Sequence, residues 1–190
     1  KSVAPDVMSP PESYYRRPNV NIDMKSFFPC QNGFKGIDDF TGKFKSNTER
    51  QYFFAYSPEE ASKYLLDKEY LSCDANVSKV EGGFTYLNLE ISIRNRNAAK
   101  EYGIIDKGAL LVIKTLRGDN ISLIATKTEL GQFNEEQNVY IYKPKFIFDS
   151  NTLGKLEKEE LDVLRIYWST GYEEYKIYDI DFIKRQLACL

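Results

Sequence analysis

The segment Thr85-Tyr-Leu-Asn-Leu-Glu-Ile-Ser-Ile-Arg94 alternates without a break. Leu87, Leu89, Ile91 and Ile93 fall on one side, and Tyr86, Asn88, Glu90 and Ser92 on the other. Successive side chains of a strand point to opposite faces, so this pattern describes a strand with one buried and one wet face. A helix built from the same residues would spread the apolar positions around its circumference. One-sided burial is the habit of antiparallel sheets, because parallel sheets are covered on both faces.

The same period recurs along the chain. Gln51-Tyr-Phe-Phe-Ala-Tyr56 reads as a strand. Residues 109–116 and 121–128 flank Arg117-Gly-Asp-Asn120 and read as a hairpin. Residues 138–148 form another strand candidate, in which Pro144 marks an edge position or a bulge, since proline cannot donate to a ladder. Leu164-Arg-Ile-Tyr-Trp-Ser-Thr170 alternates, turns at Gly171 and returns through 172–178. Tyrosine (14) and phenylalanine (12) dominate the aromatics, and both favour strands.

Helix signals are few. Ser57-Pro-Glu-Glu60 combines an N-cap candidate, a proline at the first helical position and an S-x-x-E box. Ala61, Tyr64 and Leu65 then give an apolar stripe, which predicts a helix to about residue 68. Residues 155–161 are charged and helix-favouring, and 180–190 carry Ile183 and Leu187 on one side. Residues 1–23 contain four of the seven prolines and little periodicity, which predicts an extended tail or tether. The chain opens on Lys1, and a leader or anchor removed upstream of it is one expectation. The reading is a single β-rich globular domain over 24–190. It is mainly β, an antiparallel sandwich or partly open barrel with about three short helices; α+β is the alternative.

Chemistry is constrained by an absence. The 190 residues contain no histidine, which removes the commonest general base, metal ligand and triad member. Cys30, Cys73 and Cys189 are scattered, and none sits in a C-x-x-C pair, so no zinc or other metal site and no cofactor is expected. Buried small hydrophobes are the favoured reading of these cysteines; one bridge plus a free thiol is the other. No G-x-S-x-G occurs. Gly36-Ile-Asp-Asp-Phe-Thr-Gly-Lys43 fails as a phosphate loop, because five residues separate the glycines and Phe44 stands where a hydroxyl is needed. Asp179 and Asp181 lack the rest of a calcium loop, and Asp181 is expected to cap the last helix or to favour its N-terminal dipole. Asn76-Val-Ser78 and Asn120-Ile-Ser122 fit the glycosylation acceptor pattern.

The charge balance is nearly even, with a net charge of −2 and a pI near 5.4. Residues 1–80 carry 11 charges of each sign, so neither half is polarised, and a nucleic-acid partner is not expected. The longest apolar run, residues 109–113, is far too short for a membrane-spanning helix.

Two constellations remain. Adjacent carboxylates are plentiful, but neighbours in a strand point to opposite faces, so Glu173-Glu174 cannot face each other across a cleft. The aromatic set around 167–178 has functional shape. Tyr167, Tyr172, Tyr175 and Tyr178 are the candidate ligand-binding residues, for a sugar or a protein partner. The competing reading is that these rings pair across the ribbon and fill the core. Alternation groups Trp168 with Leu164 and Ile166 as buried, and Tyr167 with Arg165 and Ser169 on the other face.

The order hairpin, strand, short acidic helix, R-I-x-x-S-x-G-Y hairpin and terminal helix spans residues 108–190. It is carried by Arg165-Ile166, Ser169, Gly171-Tyr172 and 182–190. It resembles uncharacterised β-rich domains of Bacteroidetes cell-envelope proteins. The resemblance implies an envelope or extracellular compartment and supplies no mechanism. The leading functional expectation is a non-catalytic binding or structural module with a protein or carbohydrate partner; the alternative is a carbohydrate-active protein using a carboxylate pair.

Overall fold

The computed structural model describes residues 32–190 other than 63, 66 and 67. The proline-rich segment 1–23 and Cys30 lie outside the described residues. The N-terminal strands are β1 (Asn32–Ile37), β2 (Phe44–Thr48), β3 (Gln51–Tyr56), β4 (Leu71–Val80) and β5 (Thr85–Ile93). They are followed by β6 (Leu110–Thr115), β7 (Asn120–Ala125), β8 (Gln132–Asn134), β9 (Val139–Tyr142) and β10 (Lys145–Phe148). The chain closes with β11 (Leu161–Trp168) and β12 (Gly171–Lys176). Among the described residues four short helices accompany them: α1 (Glu59–Ser62), α2 (Ala98–Glu101), α3 (Ser150–Leu156) and α4 (Phe182–Ala188).

All ladders are antiparallel, in the order β1-β2-β4-β5-β10-β7-β6-β11-β12. β3 joins the edge of β4 beside β2, and β8 and β9 extend the sheet beyond β10. The ends of this order do not pair, so the sheet is not a closed barrel. It curls nonetheless. Phe54 of β3 stacks on Tyr175 of β12 with ring centroids 4.7 Å apart, although no ladder joins the two strands. The mainly antiparallel β class follows from the alternation, because every strand with one apolar side needs the same core.

The core fills the inside of the curl. Leu87, Leu89, Ile91 and Ile93 are all buried there, as the alternation requires. α4 closes the interior: Phe182 stacks on Phe53 at 4.3 Å. Gln186, fully buried, is bonded to the hydroxyl of Thr48 and donates to Gln51 Oε1 at 3.0 Å. An Arg185–Asp179 ion pair, nearly buried, fastens the start of the helix.

Several expectations are corrected. The capping-box helix is only α1, because Ser57 Oγ accepts from Tyr70 N at 2.9 Å instead of holding a helix N–H. The expected helix at 155–161 starts earlier, as α3. Asp149 caps it by accepting from Asn151 N at 2.9 Å and Thr152 N at 2.7 Å, and the Thr152 amide foremost holds the carboxyl below the usual carboxylate range. Asp181 stands at the head of α4 but does not cap it; its carboxylate pairs with Lys184 at 2.6 Å. The strand expected at 138–148 is broken into β9 and β10 at Lys143–Pro144, and the Pro144 carbonyl accepts from Leu89 N at 3.1 Å. β4, which the sequence reading passes over, is a ten-residue strand in the middle of the sheet.

Candidate functional site

Each strand shows one face to the core and the other outward, and the outward face is where the candidate residues separate. In the β11–β12 ladder, Tyr167 lies opposite Tyr172 and Arg165 opposite Glu174, while Leu164 lies opposite Tyr175. The first two pairs point outward. Tyr167 and Tyr172 rings approach to 5.7 Å, and the Arg165 guanidinium sits 4.3 Å from the Tyr172 ring centre. Arg165 Nε donates to Glu174 Oε1 at 2.8 Å, and Arg165 Nη1 to the Tyr167 hydroxyl at 3.4 Å. This is a preorganised patch: a cation fixed between two rings and a carboxylate.

The remaining candidates behave differently. Tyr175 is 2% exposed and belongs to the core, stacked on Phe54, so it cannot reach a ligand. Period 2 puts it on the side opposite Tyr172, three residues away. Tyr178 is exposed but lies past the end of β12, outside the ladder that joins Tyr167 to Tyr172. Trp168 is buried at 6% exposure, with Tyr142 and Tyr102 packed edge-on at 5.0 and 5.2 Å.

The sheet adds residues that the sequence reading does not single out. Tyr86 pairs with Ile147, Ile147 with Ile124, and Ile124 with Leu110. The register that pairs Ile166 with Leu111 then sets Leu110 beside Tyr167. A row of apolar and aromatic side chains thus crosses the outward face from β5 to β12. Ile124 is 48% exposed, Leu110 39% and Tyr172 38%. These positions are far apart in sequence, and only ladder register brings them together.

Carboxylates form no comparable arrangement. Glu173 and Glu174 point to opposite faces, as strand geometry requires. Asp74 and Glu90 do lie opposite each other on β4 and β5. Burial, then the Glu90 charge, pushes the Asp74 carboxyl up. Glu90, however, is held by Arg50 and by Lys143 Nζ at 3.1 Å. Among the described residues no group of three or more Cys, Asp or Glu is placed to hold a metal ion. No helix among them is long and apolar enough to cross a membrane.

Cys73 is a fully buried free thiol, pushed well above its usual range by burial, whereas Cys189 is disulfide-bonded. The reading of every cysteine as a buried hydrophobe therefore holds for Cys73 and not for Cys189. Asn76 is buried and donates to the Thr48 carbonyl at 2.9 Å, which removes it as a glycan acceptor in the folded chain. No family model, curated protein or solved structure matches the chain.

Proposed function

We propose that the chain is a non-catalytic binding module, exported and envelope-associated, whose outward sheet face docks against a protein partner. The observation that carries this reading is the row Ile147–Ile124–Leu110, continued by Tyr167 and Tyr172: apolar side chains side by side on adjacent strands, exposed at Ile124, Leu110 and Tyr172 and half-buried at Ile147 and Tyr167. Scattered exposed apolar residues need no explanation, but contiguous ones do. Tyrosine and arginine at one end of the row are the residue types that anchor protein interfaces. The resemblance to cell-envelope domains supports export, and so does the disulfide at Cys189, which fits an oxidising compartment.

The carbohydrate-active alternative has less support. Asp74 and Glu90 lie on an open sheet face, and Glu90 is already neutralised by two cations. A hydrolytic pair needs a cleft with substrate between the carboxyls.

The test is a photo-crosslinking amino acid at position 124, with position 157 at the end of α3 as control, in cells that express the protein. A discrete heterologous adduct at 124 and none at 157 is expected. No adduct at 124, equal labelling at both sites, or only a dimer of this chain would count against the reading.

A further inference from the structure

We propose that the groove formed by the outward sides of β2, β4 and β5 with residues 143–145 binds an acidic glycan, a saccharide bearing uronate or sulfate groups. The groove encloses about 360 Å³. Five cations line it, Lys45, Arg50, Lys127, Lys143 and Lys145, and no carboxylate is among its lining residues. That concentration occurs in a chain whose net charge is −2. It is local, and composition does not reveal it.

Two of the cations are already answered, since Arg50 and Lys143 share Glu90. Lys45, Lys127 and Lys145 have no carboxylate at ion-pair distance among the described residues. Burial, with Lys45 and Lys127 close by, holds the Lys145 ammonium below the usual lysine range. Converging like charges without counter-charge oppose the folded state, and a bound anion removes that opposition. Lys145 is also positioned: its Nζ sits 3.9 Å from the centre of the Tyr86 ring, which keeps the ammonium at the groove wall.

The uncharged lining fits hydroxyl groups. Asn47 and Asn88, half-buried, present carboxamides, with Asn76 and Ser78 buried behind them; Asn88 Nδ2 donates to Ser78 Oγ at 3.0 Å, which fixes its orientation. Lys127 and Lys143 also line a neighbouring groove of about 450 Å³, which adds Gln132, Asn134, the ring of Phe133 and one carboxylate, Glu129. The two grooves share these lysines, so together they offer room for an oligomer and not merely a single ion. Nucleic acid is the less suitable polyanion. The cationic groove itself has no aromatic lining, and the neighbouring one offers the single ring of Phe133, short of a series on which successive bases would stack.

Calorimetric titration of the full chain tests the proposal, with four probes: tetragalacturonate, a heparin tetrasaccharide, inorganic phosphate and an oligothymidylate. At least one acidic saccharide should bind more tightly than phosphate or oligothymidylate, and its affinity should fall with added salt. Which of the two binds identifies the anionic group. Lys45→Gln combined with Lys145→Gln should weaken binding by about tenfold or more, as expected when charge-assisted contacts are lost. Lys127→Glu, on an exposed side chain, should weaken it as well without threatening the fold. Tyr172→Ser, on the protein-docking row, should leave saccharide affinity unchanged, so the two surfaces fail independently. Binding of neither saccharide would overturn the proposal. So would tighter binding of oligothymidylate, phosphate binding equal to the saccharides, or unaltered affinity in the folded lysine variants.

Discussion

One cross-strand row runs along the outward face from Asn47 through Ser78, Tyr86, Ile147 and Ile124 to Leu110, and its chemistry changes halfway. At the β2 end it is carboxamide and hydroxyl, with lysines alongside. At the β7–β12 end it is aliphatic and aromatic. The inward row beneath it changes far less: Val77, Leu87, Phe146 and Ala125 are apolar and buried, and only the β2 end is polar, at Thr48, whose buried hydroxyl is bonded to the Val77 backbone. Folding asks most inward positions for an apolar side chain, because they face one core. It makes no such demand outward, so the change of chemistry there is not a requirement of the fold, and the two proposed uses of the surface rest on it.

The largest break in this comparison comes from the inward side. Trp168→Ala should destabilise the chain by about 3–5 kcal/mol, the usual range for removing a large buried aromatic. Because Trp168 is the only tryptophan, intrinsic fluorescence reports on it alone; its emission should be blue-shifted and poorly quenched by iodide. The inward side also carries a polar exception, Gln186. Gln186→Ala leaves the buried Thr48 hydroxyl and the Gln51 carboxamide each short of a partner, and should cost about 1–3 kcal/mol by urea unfolding.

Outward changes should be smaller. Arg165→Ala removes the contact with the Tyr172 ring and the Glu174 pair, both solvent-accessible, and should cost less than about 1 kcal/mol. At the opposite end, Lys45→Gln combined with Lys127→Gln relieves repulsion on Lys145. Stability should stay within about 0.5 kcal/mol of the parent, with any change an increase. A clear loss there would mean that the lysines support the fold.

Legibility in the sequence follows the same division. β5 and the hairpins β6–β7 and β11–β12 are readable because large apolar residues alternate with polar ones up to glycine-containing turns. β4 alternates up to Ser78, but Cys73 and Ala75 are small inward residues, and Asp74 and Asn76 disfavour strands in isolation. Its strand state comes from its place, with β2 and β3 on one edge and β5 on the other. The box at Ser57 has all the residues of a helix start, yet the serine is recruited by Tyr70, a partner that no local rule supplies. In the candidate site, parity alone separates Tyr172 from Tyr175. Neither the apolar row nor the lysine groove has a local signature, since each collects residues from distant strands through register.

The most direct measurement compares two urea-unfolding curves. One is that of a variant in which the exposed row is rewritten with a strand-favouring polar residue, Leu110→Thr, Ile124→Thr and Tyr172→Thr together. The other is that of Trp168→Ala. The triple variant should unfold within about 1 kcal/mol of the parent, while the single inward substitution costs several times more. If the three outward changes together cost as much as removal of Trp168, the row is part of the core's support, and the outward face is not a surface free for binding.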